Sequence, residues 1–213
     1  MPTYTMKNSS YLHRFEPATQ PGSPPLLLLH GTGGNENDLL PVGRQLAPGS
    51  ALLSPRGNVS ENGMPRFFRR FAEGVFDLED VAKRTQSLAD FVRDAATEYG
   101  FAPGSLTAVG YSNGANIAAS LLILRPESVS GAVLLRPMVV LQPKQLPDLN
   151  GKRIAIISGR YDPIVPVDQP EKLAAMFRDA GAHVELHWLE TGHQLSGADL
   201  RLAGQFLPAP VRS

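Results

Sequence analysis

Apolar positions follow two rhythms that alternate along the chain. Short, mainly apolar runs bounded by Gly, Pro or Ser occur at Leu26–Leu29, 51–54, 106–109, Gly131–Leu135 and 153–158, and a further strand, with polar residues at alternate positions, reads over 182–189. Runs of this length read as strands buried on both faces. A weaker run at 11–15 reads as an early edge strand, followed by a Pro-rich turn at 18–25. Between the runs lie stretches with an apolar residue every third or fourth position, which predict helices. One covers 37–47, with Asn37 as its N-cap and Pro41 tolerated near its start. The most regular covers 77–99, with Leu78, Val81, Leu88, Val92, Ala95 and Tyr99 on one face and Gly100 as its stop. Others begin at Asn113, with Ile117, Leu121 and Leu124 in phase, and at Asp168, where Gly181 ends the pattern; 195–207 closes the chain. Strands alternating with helices predict an α/β fold: a mainly parallel central sheet with helices on both faces.

Two stretches break the alternation. Residues 58–76 show no period but hold Gly63, Pro65 and the run Arg66-Phe67-Phe68-Arg69-Arg70-Phe71. A loop this long in a compact domain is usually functional, and its aromatic content argues against disorder. Residues 137–150 form a Pro-rich link too short to hold a cap domain.

Composition narrows the class of protein. A length of 213 residues fits one α/β domain over 1–213. Lys and Arg number 20, as do Asp and Glu, so no overall field favours nucleic acid or an anionic membrane. There is no cysteine, which removes disulfides, thiolate metal sites and a Cys nucleophile. The first 17 residues lack a signal-like apolar region, and the apolar runs are far too short to span a bilayer. The expectation is a soluble, cytoplasmic protein, with a homodimer left open.

Candidate chemistry gathers around Gly110-Tyr111-Ser112-Asn113-Gly114, set between a predicted strand and a predicted helix. This G-x-S-x-G arrangement lifts a serine nucleophile above the sheet on a turn too tight for Cβ atoms at its two glycines. The Asn113 N–H, at the helix start, faces the oxyanion that an attacked carbonyl develops. Two later strand ends deliver Asp162, in Gly159-Arg160-Tyr161-Asp162-Pro163, and His193, in Glu190-Thr191-Gly192-His193. Their order, Ser112, Asp162, His193, is that of nucleophile, orienting acid and base. Asp168 is the nearest competitor for the acid but sits at a helix N-cap position. His183, Glu185 and His187 share a strand face; at about 7 Å between alternate residues they suit one small ion poorly, so no metal site is expected. The loop His30-Gly31-Thr32-Gly33-Gly34 supplies a second oxyanion donor, the Thr32 N–H, with Gly31 next; His30 braces that loop. Arg56 and Arg136, near strand ends, are candidates to bind a substrate carboxylate, as is the Arg66, Arg69, Arg70 cluster. Phe67, Phe68 and Phe71 are candidates for an apolar substrate wall.

The blocks LLLLHGTGGNENDLLP, SPRGN, GYSNGAN, GRYDPIVP and TGHQL together resemble the phospholipase/carboxylesterase family of α/β-hydrolases. That family includes acyl-protein thioesterases and bacterial hydrolases associated with hydroquinone, catechol or copper response, the latter closer in look. The resemblance runs from Leu26 to Leu207 and implies an α/β-hydrolase fold, the triad Ser112, Asp162 and His193, and the Thr32 and Asn113 amides as oxyanion hole. Acyl-protein thioesterases generally carry Gln after the nucleophile and Leu after His-Gly. Asn113 and Thr32 stand there in this chain, which turns the expectation away from lipidated protein substrates. The Cys nucleophile of dienelactone hydrolases is absent. The expected activity is a cofactor-free serine esterase on small to medium soluble esters. Acyl transfer or thioester cleavage by the same triad, and a non-catalytic ligand-binding relative, are the alternatives.

Overall fold

A computed structural model describes residues 11–102 and 104–207. In chain order the elements are β1 (His13–Glu16), β2 (Leu26–Leu29), α1 (Leu40–Leu46), β3 (Leu52–Pro55), β4 (Val59–Glu61), β5 (Met64–Arg66), β6 (Arg70–Ala72) and β7 (Val75–Phe76). Then follow α2 (Leu78–Tyr99), β8 (Thr107–Tyr111), α3 (Asn113–Leu124), a 3-10 turn (Pro126–Ser128), β9 (Gly131–Leu135), β10 (Arg153–Gly159), α4 (Asp168–Asp179), β11 (His183–Leu189) and α5 (Gly197–Phe206). Expectations for the first ten residues lie outside the described part.

Seven strands form one sheet in the order β1-β3-β2-β8-β9-β10-β11. Only β1 runs antiparallel, against β3; every other pairing is parallel. The strand order reverses between β2 and β8, and in such sheets ligands bind beyond the carboxyl ends of the strands at this reversal. The loop after β2 and the turn after β8 therefore share one crevice.

Helices α2, α3 and α4 cover one face of the sheet, and α1 and α5 the other. Leu27 and Leu29 of β2 face the first layer, Leu26 and Leu28 the second, all four fully buried. This is why the strand is apolar throughout instead of alternating. Truncating Leu28 to Ala would cost about 2–5 kcal/mol in lost transfer energy and cavity. Helix α3 lies between the sheet and α2, so it is buried on nearly every side. Helix α2 is bounded as its pattern predicts. The Asp77 carboxylate accepts from the Asp80 N–H, and Gly100 takes the left-handed conformation at φ 73°.

Four local expectations are corrected. Helix α1 starts at Leu40 and not behind an Asn37 cap, because the 35–38 segment folds on its own side chains: Asn37 N–H donates to Asn35 Oδ1, and Asn35 N–H to Asp38 Oδ2. Leu78 is exposed at the first turn of α2. Asp168 is a helical residue paired with Lys172, not a cap. Residues 58–76 form two short hairpins, β4–β5 and β6–β7, instead of an irregular loop. The link from β9 to β10 adds no cap domain. No helix of the described residues is long and apolar enough to cross a membrane.

Candidate active site

Ser112 follows β8 at φ 52° and ψ −114°, a conformation that costs an L-residue free energy and that the surroundings must enforce. Its N–H donates to Leu135 O at 2.8 Å, tying the turn to β9. A Cβ on Gly110 would overlap the Gly114 carbonyl, and one on Gly114 would overlap that of Leu29. The two glycines are thus required by close backbone approach, as the motif implies.

Three strand ends bring Ser112, Asp162 and His193 into one hydrogen-bonded chain. His193 Nδ1 lies 2.7 Å from Asp162 Oδ2, and its Nε2 lies 3.0 Å from Ser112 Oγ. The carboxylate accepts the Nδ1 proton, which leaves the Nε2 lone pair facing the hydroxyl. Asp162 is pinned in turn: its Oδ1 accepts from the N–H groups of Ile164 and Val165 at 2.8 and 3.1 Å. The Tyr111 ring sits 5.4 Å from the imidazole, and its hydroxyl donates to His193 O. Burial raises the Tyr111 phenol above its ordinary range, so it stays neutral.

Opposite them runs the loop after β2. The amides of Gly33 and Gly34 are committed to Pro65 O and Gly31 O. The amides of Gly31 and Thr32 take no part in these bonds, and Asn113 begins α3, where the first N–H groups have no partner within the helix. His30 braces this loop as expected. Its Nδ1 donates to Gly31 O at 2.6 Å and its Nε2 accepts from the Gly57 N–H at 2.9 Å. Burial holds its pKa down, which fits this neutral form. A cavity of about 500 Å³ opens against the loop, lined by Thr32, Asp38, Leu39, Val42, Tyr111 and Leu195 among others.

Of the four proposed substrate contacts, Arg136, Phe67 and Phe68 are buried, and Arg56 follows the end of β3 with its side chain partly exposed. Arg136 is fully buried at φ 58°. Its guanidinium pairs with the equally buried Asp199 at 2.6 and 3.1 Å. It also donates to Gly192 O, Thr191 Oγ1 and Gln194 O. It grips the loop that carries His193 instead of facing substrate. Asp199 was not singled out in the sequence. Its signal is the Ser196-x-x-Asp199 spacing of a capping box, which the structure contains. Phe67 and Phe68 are wholly buried and pack into the core with His30 and Phe76, not along a substrate wall. Phe71 is 76% exposed. Arg56 has its fork occupied by Glu36, at 2.5 and 2.9 Å. His183, Glu185 and His187 lie along the edge strand β11 with at most pairwise contacts, and no group of three ligating side chains among the described residues could hold a metal.

The sequence and the fold are both similar to those of known proteins. A profile of the phospholipase/carboxylesterase family matches residues 13–210. MhqD of Bacillus subtilis, named as a hydrolase, is 51% identical over 171 residues, which cover 80% of this chain and 86% of that one. The crystal structure of a Bacillus cereus carboxylesterase superposes with a TM-score of 0.92 at 47% identity, over 94% of both chains. That of a carboxylesterase from Mesorhizobium loti gives 0.88 at 32% identity, over 95% of this chain and 96% of that one. The chain belongs to the phospholipase/carboxylesterase family of α/β-hydrolases and is an ester-hydrolysing enzyme.

Proposed function

We propose that this protein is a serine carboxylesterase that cleaves small to medium, water-soluble esters through an acyl-enzyme on Ser112. The observation that carries the reading is the continuous chain from Asp162 through His193 to Ser112, at 2.7 and 3.0 Å. Ser112 Oγ attacks the ester carbonyl while His193 Nε2 takes its proton, and Asp162 stabilises the imidazolium that results. The oxyanion accepts from the N–H groups of Thr32 and Asn113. Collapse expels the alcohol, protonated by His193; water, deprotonated by the same nitrogen, then releases the acid. Every step uses side chains and amides of this chain, working as one domain on a small-molecule substrate. The setting we propose is the cytoplasm, with neither membrane nor nucleic acid as partner.

A phosphonofluoridate should label Ser112 stoichiometrically, and Ser112→Ala should lose both labelling and turnover. Asp162→Asn should keep the fold but lower kcat by up to about four orders of magnitude, by analogy with the tautomer-fixing Asp of serine proteases. Labelling of a different serine, or a near-normal Asp162→Asn enzyme, would refute the assignment.

A further inference from the structure

Three consecutive residues of the hairpin insertion meet the residues on both sides of the oxyanion position. Pro65 O accepts from the Gly33 N–H at 3.0 Å. Arg66 Nη1 donates to Thr32 Oγ1 at 2.6 Å. The Phe67 N–H donates to the Asn113 side-chain oxygen at 2.8 Å. The loop after β2 and the turn after β8 are thus joined through a single short stretch of chain.

That stretch is itself fixed. Phe67 and Phe68 are fully buried, and the Phe67 ring lies 4.8 Å from His30. Arg69 N–H donates to Asp80 on α2 at 2.8 Å. Gly57 passes so near the Arg66 carbonyl that a Cβ would overlap it. Arg66 is an unusual anchor. Its side chain is 3% exposed and its ion pair is with the half-buried Glu61, at 3.1 Å. Burial, with Arg70 nearby, lowers it to about 10, which still leaves it cationic at neutral pH. Taking a guanidinium out of water is costly, and a plain structural tether for a threonine hydroxyl does not need a charge. A cation bonded to the Thr32 hydroxyl does have a use if negative charge develops near that residue.

We propose that Arg66, together with the Thr32 hydroxyl and the Asn113 carboxamide, is a positioning residue that sets the two oxyanion amides at their working separation. The inference rests on the Ser112 reading. The amides that the tie positions meet full negative charge only as the oxyanion forms, so its loss affects the transition state more than substrate binding.

The test compares Thr32→Val, Thr32→Ser, Arg66→Met and Arg66→Lys with the wild type. Arg84→Met, which breaks the bond from α2 to Asn58 Oδ1 at the start of the same insertion, controls for general loosening. Removing a whole oxyanion donor costs about 10²–10³ in kcat, so Thr32→Val and Arg66→Met should each lose roughly 10- to 100-fold, with KM nearly unchanged. The double variant should be no worse than the poorer single one, because both cut the same contact. Thr32→Ser should restore most of the rate. Affinity for a trifluoromethyl ketone, whose adduct oxygen sits between the amides, should fall in step with kcat, whereas a methyl ketone should bind as before. Arg66→Lys should lie between, and Arg84→Met should stay within about twofold.

Unchanged kcat in Thr32→Val would overturn the inference, as would a kcat loss without loss of trifluoromethyl ketone affinity. Thr32→Val is isosteric and keeps the test alive if Arg66→Met does not fold. Phosphonofluoridate labelling separates the two failures: a wild type unlabelled at Ser112 sinks the esterase reading and this inference together. Full labelling with insensitive variants sinks this inference alone.

Discussion

Replacing Arg136 by Met tests whether the buried ion pair serves the catalytic loop or only the fold. The substitution keeps most of the side-chain volume. It removes donors to Asp199, Gly192 O, Thr191 Oγ1, Gln194 O and Ile157 O. Breaking a buried pair by deleting one partner costs about 3–5 kcal/mol, because the other charge stays behind. Asp199 keeps two donors, Ser196 N–H and Oγ, each at 2.8 Å, so the lower end applies. At about 2–4 °C per kcal/mol for a chain of this size, a loss of about 3 kcal/mol lowers Tm by roughly 6–12 °C. Total stabilities of about 5–15 kcal/mol leave the variant folded at moderate temperature.

Adding Asp199→Asn removes the orphan charge and keeps the acceptor for Ser196. Thermal melts of this double variant should recover most of the lost Tm. Its kcat should remain low, because the carbonyls of Gly192 and Gln194 on either side of His193 are still unheld. Recovery of kcat together with Tm would refute the positioning role, and a single variant melting within about 2 °C of wild type would refute the energetics.

Three further outcomes are expected. Asp38 lines the cavity against the loop after β2 and no Lys or Arg does, so an acid-bearing ester should have a lower kcat/KM than its neutral analogue by roughly three- to tenfold at low salt, and Asp38→Asn should close the gap; an unchanged ratio rules this out. With no cap domain and a cavity of about 500 Å³, p-nitrophenyl esters should be best at short to medium acyl length, without a jump in rate above the micellar threshold; a long-chain preference or such a jump would contradict the geometry. Burial lowers the pKa of both His13 and His30, so each is neutral in the fold and gains a proton on unfolding. Stability should therefore be full above the unfolded value near 6.5 and fall below it, by at most about 1.4 kcal/mol per pH unit for each; urea midpoints that stay flat down to pH 5 would disprove this.

Local sequence was enough wherever the constraint is local. The all-apolar Leu26–Leu29 run can only be a strand buried on both faces. Asp77 and Gly100 bracket α2 because a carboxylate satisfies the first free N–H groups and a glycine accepts a left-handed turn. The glycines around Ser112 are dictated by backbone clearance. Asp162 and His193 could be named because each immediately follows a strand whose carboxyl end faces the crevice. What sequence left open was the direction and burial of side chains whose partners are far along the chain. Arg136 looked available beside a strand end, but Asp199, 63 residues later, neutralises it inside the protein. Phe67 and Phe68 looked like a substrate wall, yet the hairpins around them turn both rings into the core. Arg66 reaches Thr32 across 34 residues and Phe67 reaches Asn113 across 46. A residue type and its neighbours state what a side chain can do. Which partner removes it from water is decided only when the strand order brings distant segments to the same end of the sheet.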